Sequence, residues 1–536
     1  MVKNINTIKL IILISILIIL IFSFTKTNSY ANITQENNTA DIIASKIEAG
    51  VKVYAYRLTT VNYDYLANQP ISPPYEWVEN VKKWLEISYP EYVDTEKFAE
   101  KVKNHDTSKK FYSELISKIK DETIKLTPLE KEVSGEAQYP VTNQNLTGSV
   151  TFENLEMGTY LILIENGYRV YLPSIVNLTP EFNEETKEWE LNNQQVLIKS
   201  TNPQIKKMVT NDTLQKDNYS TKDIISFTIE ADIPTYLNSS ISNDYFISDK
   251  LSNGLILDNK SIKVYGKKEN SPKEELKEQI DFILTTESAH RPNSENIPVD
   301  FCIEFIYSQI NQFDKIIVEY NASLAKNNST IIGGAGNINK AYMDYSNNPY
   351  EQNSMQSQES GDIKVYTYGI EILKIDKISQ EPLKGAEFEI SLNNEKLYFI
   401  KSDDGKYYQA SKEDVGATQT LIVDDNGNLI IYGLDSGEYR LTETKAPTGY
   451  NKATNSVPIT LSDNDCNGVL DNSQVTTGIV KISFPNSQNF QMPVTGGIGT
   501  LMFIISGIIF ISIGLVLLSI LIKNIILENT WNYRIL

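Results

Sequence analysis

Ile225-Ser226-Phe227-Thr228-Ile229-Glu230-Ala231 sets four apolar side chains at alternate positions against two hydroxyls and a carboxylate. That period of two marks a strand with one buried face. Outward from it, Pro203-Gln204-Ile205-Lys206-Lys207-Met208-Val209 opens the same segment, and Ile316-Ile317-Val318-Glu319-Tyr320 and Ala341-Tyr342-Met343-Asp344-Tyr345-Ser346-Asn347-Asn348-Pro349 come after it. Helical spacing interrupts them only in the charged stretch 272–279, which reads as a surface excursion. The pattern predicts an all-β sandwich over residues 200–362, with polar Tyr350 to Asp362 as a linker to the next domain.

The flanking segments are also mainly β. In 32–199, Val51, Val53 and Ala55 alternate with Lys52, Tyr54 and Tyr56, and residues 150–176 return to strand patterning. Between these, Trp77, Val81, Trp84 and Leu85, then Phe111, Leu115 and Ile119, recur at helical spacing. The expectation is a sandwich with inserted helices, whose aromatic stripes are core contacts. A third domain is expected over 363–487, where the strand pattern 369–377 precedes 382–390 and a hairpin signal at Asp425-Asn426-Gly427-Asn428.

The two ends are of another kind. Lys3 and Lys9 precede an apolar run from Leu10 to Phe24, and Ser29-Tyr30-Ala31 offers small residues to a signal peptidase, so residues 1–31 read as an export signal cleaved after Ala31. Over 488–536, Met492-Pro493-Val494-Thr495-Gly496-Gly497 precedes an uncharged run, 498–522, long enough to cross a bilayer as a helix, and then Lys523. About 460 residues remain between the ends, room for roughly three domains.

Composition excludes several functions. A formal charge of −19 opposes binding to phosphate backbones and so disfavours a nucleic-acid partner. The only histidines, His105 and His290, lie far apart, leaving little material for a His-dependent triad or a His-rich metal site. Export permits a disulfide between Cys302 and Cys466 without fixing one. Asp463-Asn464-Asp465-Cys466-Asn467-Gly468 imitates the start of a calcium loop, but its twelfth position is Gln474 where a bidentate Glu is needed, so it reads as a turn. No cofactor and no metal are expected.

Two motifs carry a resemblance. Leu441-Thr442-Glu443-Thr444-Lys445-Ala446-Pro447-Thr448-Gly449-Tyr450, within 363–487, resembles the E-box of CnaB (SpaA-like) domains in Gram-positive pilins and surface adhesins. Met492 to Gly496 resembles the LPXTG motif cut by sortases between Thr and Gly, here Thr495 and Gly496, with Met492 in place of the usual Leu. The resemblance implies tandem immunoglobulin-like CnaA- and CnaB-type β-sandwiches and a C-terminal transmembrane helix. It also implies a lysine and an asparagine joined inside each domain under a protonated acid. Burial keeps such an amine neutral, it attacks the carboxamide, and ammonia leaves.

By that resemblance Lys374, Asn486 and Glu443 are the nucleophile, acceptor and acid of the third domain. Lys207, Asn347 and Asp249 take those parts in the second, with neighbouring Lys206 and Asn348 left open because a one-residue shift reverses a strand's face. Lys199, after Trp189 at the end of the first domain, is the candidate for linkage to the next subunit. The implied function is a structural shaft pilin with no turnover chemistry, exported to a wall-anchored pilus. Its partners are sortase, other pilin subunits, peptidoglycan and a host surface ligand. The competing readings are a monomeric wall-anchored adhesin that binds host matrix or glycan, and a secreted wall hydrolase, which the scarcity of histidine disfavours.

Overall fold

The computed structural model describes residues 33–34, 38–103, 105–135, 146–210, 218–236, 242–292, 296–471, 477–489 and 498–532. The export signal 1–31 and the pentapeptide Met492 to Gly496 lie outside them. The chain divides into two compact units, one of residues 1–215, 224–323 and 337–364, the other of 216–223, 324–336 and 365–536. The first two expected domains thus share one unit, and two loops from within 200–362 pack with the third.

In the first domain, a sheet ordered Leu129–Glu132, Lys52–Arg57, Gly158–Glu165, Ser174–Leu178 faces a sheet ordered Gln194–Leu197, Thr39–Ile47, Gly148–Glu156. Ile42, Ala44, Val53, Ala55, Phe152 and Ile162 fill the space between them. Strand alternation turns Tyr56, Leu161 and Leu163 to the opposite face, where helices Glu79–Ser88, Thr95–Lys101 and His105–Lys120 cover them with Trp84, Phe98, Phe111 and Leu115. Each such large side chain contributes about 1.5–3 kcal/mol through burial. Asp94 caps the second helix by accepting from Glu96 N (3.1 Å) and Lys97 N (3.2 Å). The expected stripes are core contacts, although Trp77 ends the strand Gln69–Trp77 and does not belong to the helix; its indole N–H donates to Tyr92 O (2.8 Å).

The second domain is the predicted sandwich. One sheet runs Ile205–Val209, Ile225–Asp232, Lys315–Leu324, Leu255–Lys267, Glu274–Glu275. The other runs Phe282–Thr285, Phe301–Phe305, Tyr245–Leu251, Asn337–Ser346, Met355–Glu359. Two expectations change. The excursion 272–279 adds a short edge strand against Tyr265 and Gly266. The linker 350–362 folds back, Met355–Glu359 pairing with Tyr342 to Ser346, where its largely polar run suits the exposed edge of the sheet. Within the same unit, Tyr345 donates its hydroxyl to Tyr168 O, and Tyr350 is buried among the first domain's helices.

The third domain sets Tyr398–Lys401, Tyr407–Ala410, Asn428–Leu434, Tyr368–Asp376 and Ile479–Asn486 in one sheet. Glu395–Lys396, Glu387–Leu392, Gly437–Lys445 and Val457–Leu461 make the other, and Phe388, Phe399, Ile431, Tyr439 and Leu441 pack between them. Gly427 occupies the expected hairpin with φ +80°, where a Cβ would lie 2.9 Å from Lys374 O; only glycine suits both demands. Beyond the sandwich comes helix Ile498–Asn532, and Leu501–Leu527 within it is long and apolar enough to cross a membrane.

Candidate isopeptide sites

Lys207 and Lys374 are the two buried lysines among the described residues. Each owes its burial to strand alternation: Lys374 continues Ile370 and Ile372 on the core face while Leu373 points outward, and Lys207 continues Ile205 while Lys206 is exposed. The choice left open between Lys206 and Lys207 therefore falls to Lys207.

In the third domain the first strand, Tyr368–Asp376, lies parallel to the last, Ile479–Asn486, with Lys374 opposite Phe484 and Asp376 opposite Asn486. Lys374 Nζ donates to Phe484 O (3.1 Å) and lies 5.3 Å from the Phe484 ring centre. Glu443 reaches across from the facing sheet, its Oε1 3.9 Å from Lys374 Nζ. Asn486 Nδ2 donates to Glu443 Oε1 (2.8 Å) and Oε2 (3.0 Å) and to Asn451 O (3.0 Å), while Asn486 Oδ1 is buried without a partner. Burial pushes the Lys374 amine down to about 8, against the pull of Glu443. An orphaned carbonyl oxygen beside a weakly basic buried amine is a costly ground state.

The second domain corrects the expected acceptor. Lys207 Nζ donates to Asp249 Oδ2 and to Asn339 Oδ1, in a site closed to solvent. Asn347 lies eight residues further along, about 26 Å in an extended strand. There its Nδ2 donates to Gly167 O (2.6 Å) and its Oδ1 accepts from Ser354 (2.8 Å). Asn348, the open alternative, donates to Glu351 (3.2 Å) and accepts from Tyr350 N (3.2 Å). The sequence does carry a signal for Asn339: it continues backwards the alternation of Ala341, Met343 and Tyr345, all buried, once the strand starts at Asn337. Burial pushes Lys207 down to about 8 and raises Asp249, so proton transfer to a neutral amine and neutral acid becomes cheap.

Tyr320 completes this site. Its hydroxyl accepts from Asn339 Nδ2 (2.8 Å) and donates to Asp249 Oδ1 (3.0 Å), and its ring stacks on Phe227 at 5.5 Å. No sequence signal singles it out.

The remaining candidates stand apart. Lys199 is exposed between strands Gln194–Leu197 and Ser200–Thr201, its carbonyl accepting from Leu172 N (2.9 Å). Cys302 and Cys466 are free thiols, and burial pushes Cys302 up to about 12. Asp463, Asp465 and Asp471 gather their carboxylates within 4.8 Å. Asp463, however, already accepts from Gly468 N (2.7 Å), Asn467 N (3.1 Å) and Tyr368 (2.6 Å), as a turn requires.

Two of the sandwiches thus each hold a buried lysine, acid and asparagine together. Residues 368–474 match the SpaA family, described as a prealbumin-like fold domain. The trypsin-resistant surface T6 protein of Streptococcus pyogenes serotype M6 is 28% identical over 338 residues, 58% of this chain and 57% of that protein's length. The solved T6 backbone pilin of that serotype superposes with a TM-score of 0.57 at 21% identity, covering 85% of this chain and all of that one. The full-length major pilin SpaD of Corynebacterium diphtheriae gives a TM-score of 0.46 at 19% identity over 84% of this chain and 98% of its own. The T6 superposition shows a shared fold.

Proposed function

We propose that this chain is the shaft subunit of a covalent pilus, hardened by two intramolecular isopeptide bonds. The observation that carries the reading is the pair of buried sites, each setting an amine and a carboxamide on strands near the two ends of a sandwich. In each, the neutral lysine attacks the Asn carbon, one proton passes from Nζ to the departing nitrogen, and ammonia leaves an amide cross-link.

Assembly would use the parts outside the sandwiches. The export signal and the apolar helix Leu501–Leu527 would present the Met492–Gly496 pentapeptide to a sortase at the membrane. Thr495, once transferred, would join the Lys199 amine of the next subunit or, at the base, peptidoglycan. The exposure of Lys199 supports its part in this. The test is a blot of cell-wall extracts boiled in detergent, from cells carrying wild type or Lys199→Ala. A ladder that collapses to monomer in the mutant is expected. A ladder in both moves the linkage to another lysine, and monomer in both refutes the shaft role in favour of a single-chain adhesin.

A further inference from the structure

The two sites reach their leaving nitrogens differently. In the third domain Glu443 touches Asn486 Nδ2 directly, at 2.8 and 3.0 Å. In the second the acid is Asp249, one methylene shorter, and its two oxygens are divided between Lys207 Nζ and the Tyr320 hydroxyl. It is the Tyr320 hydroxyl, at 2.8 Å, that meets Asn339 Nδ2.

We propose that Tyr320 is a catalytic residue of the second domain, relaying a proton from Asp249 to the departing nitrogen of Asn339. The inference rests on the isopeptide reading of that domain. The reaction starts from the neutral amine and the protonated acid. Lys207 Nζ bonds to Asn339 Cγ and the carbonyl π pair moves onto Oδ1. As Nδ2 turns pyramidal, the acid proton sits on Asp249 Oδ1 and the Tyr320 hydroxyl rotates to donate to Nδ2. Asp249 Oδ2 then takes one Nζ proton, Asp249 Oδ1 gives its proton to the Tyr320 oxygen, and the Tyr320 hydroxyl proton passes to Asn339 Nδ2. The Oδ1 pair then reforms the carbonyl, the Cγ–Nδ2 bond breaks, and ammonia departs with Asp249 and Tyr320 restored.

Three features of the site suit this path. Tyr320 is closed to solvent, so its hydroxyl spends both bonds on the reacting groups. Its ring is held by the Phe227 stack and by Phe301, edge-on at 5.2 Å, which aims the hydroxyl at Asp249 and Asn339. Burial raises the phenol well above its usual range, so it never ionises but passes one proton as it receives another.

The test uses full-length chains from detergent-supplemented cell-free synthesis, quenched in urea at intervals and digested. The Lys207–Asn339 and Lys374–Asn486 peptides are then quantified by mass. Tyr320→Phe, which keeps the ring, is expected to slow the first cross-link about a hundredfold, while the second forms at the wild-type rate in the same molecules. Replacing Tyr320 by 3-fluorotyrosine keeps shape and hydrogen bonds but changes phenol acidity, and should shift the first rate by about threefold or more. A purely positioning role would leave the fluorinated chain at the wild-type rate, and that result overturns the relay even where the Phe variant misfolds. A wild-type rate in Tyr320→Phe overturns it as well. Absence of the Lys207–Asn339 peptide from wild type would instead sink the isopeptide reading of that domain, and the relay with it.

Discussion

Replacing Asn339 by Ala removes the carboxamide that Lys207 faces and should leave the second domain without its cross-link. The bond closes a loop of about 130 residues, which in the chain-entropy treatment is worth about 5 kcal/mol. At 2–4 °C per kcal/mol for a domain of this size, its loss lowers the melting temperature by roughly 10–20 °C. Asn347→Ala is the control, since it forfeits hydrogen bonds to Gly167 and Ser354 worth about 1 kcal/mol each. The assay is intact mass of the 32–491 chain beside a thermal melt. Wild type should weigh about 34 Da less than its sequence, one ammonia per bond. Asn339→Ala should recover about 17 Da of that deficit and Asn347→Ala none. A full deficit in Asn339→Ala, or recovery in Asn347→Ala, would refute the placement of the acceptor.

In the third domain, Glu443→Ala should block the Lys374–Asn486 bond while sparing the other, read as about 17 Da recovered in peptides from that domain alone. In Asn339→Ala, Lys207 remains an amine whose folded pKa is depressed from 10.5 to about 8. The unfolded chain then binds the extra proton, so stability rises as pH climbs from about 8 to 10.5, by on the order of 3 kcal/mol. Urea melts across that range should show the rise in the variant and none from Lys207 in wild type, where the proposed bond would make it an amide. Residues 32–206 hold no buried lysine among those described, so a single molecule pulled from its ends should release about 170 residues there, roughly 600 Å of chain. A force trace without that extension would show that the first domain is locked too.

Most of the architecture is legible in the sequence because strand burial imposes a period of two that few alternatives share. Ile225 to Ala231 and Val51 to Tyr56 are read directly, and the same rule picks Lys207 over Lys206 once Ile205 is known to be buried. Lys374, Glu443 and Asn486 can be found because their strands adjoin the E-box, whose order along the chain is fixed. Pairing over long range is what the sequence hides. Asn347 is favoured by its nearness to the end of a strand run, whereas the acceptor Asn339 stands diagonal to Asp249, two residues before its partner Ala341 on the same face, a matter of register with Tyr245–Leu251. Tyr320 is invisible for the same reason. It reaches the site from a strand that pairs with Phe227, and nothing local distinguishes it from other core tyrosines.

Placing the acceptor at Asn339 changes what the two proposed bonds would do under load. Lys374 and Asn486 lie on hydrogen-bonded parallel neighbours, where tension applied to both strands shears the ladder along its length. A covalent tie there stops neighbouring strands from sliding. Lys207 belongs to the sheet of Ile205–Val209 and Asn339 to the sheet holding Asn337–Ser346, so that bond crosses the core and stops two faces from parting. It also binds near the beginning of its strand, leaving residues 340–373 in series between the two cross-links. Within that stretch Met355–Glu359 is held to Tyr342–Ser346 by backbone pairing, by Ser357 Oγ donating to Asp344 and by Lys340, which reaches Glu359 (3.4 Å) and Asp362 (2.9 Å). With both proposed bonds formed, the chain would have two inextensible loops and one short non-covalent clasp between them, and the clasp would yield before either cross-linked sandwich.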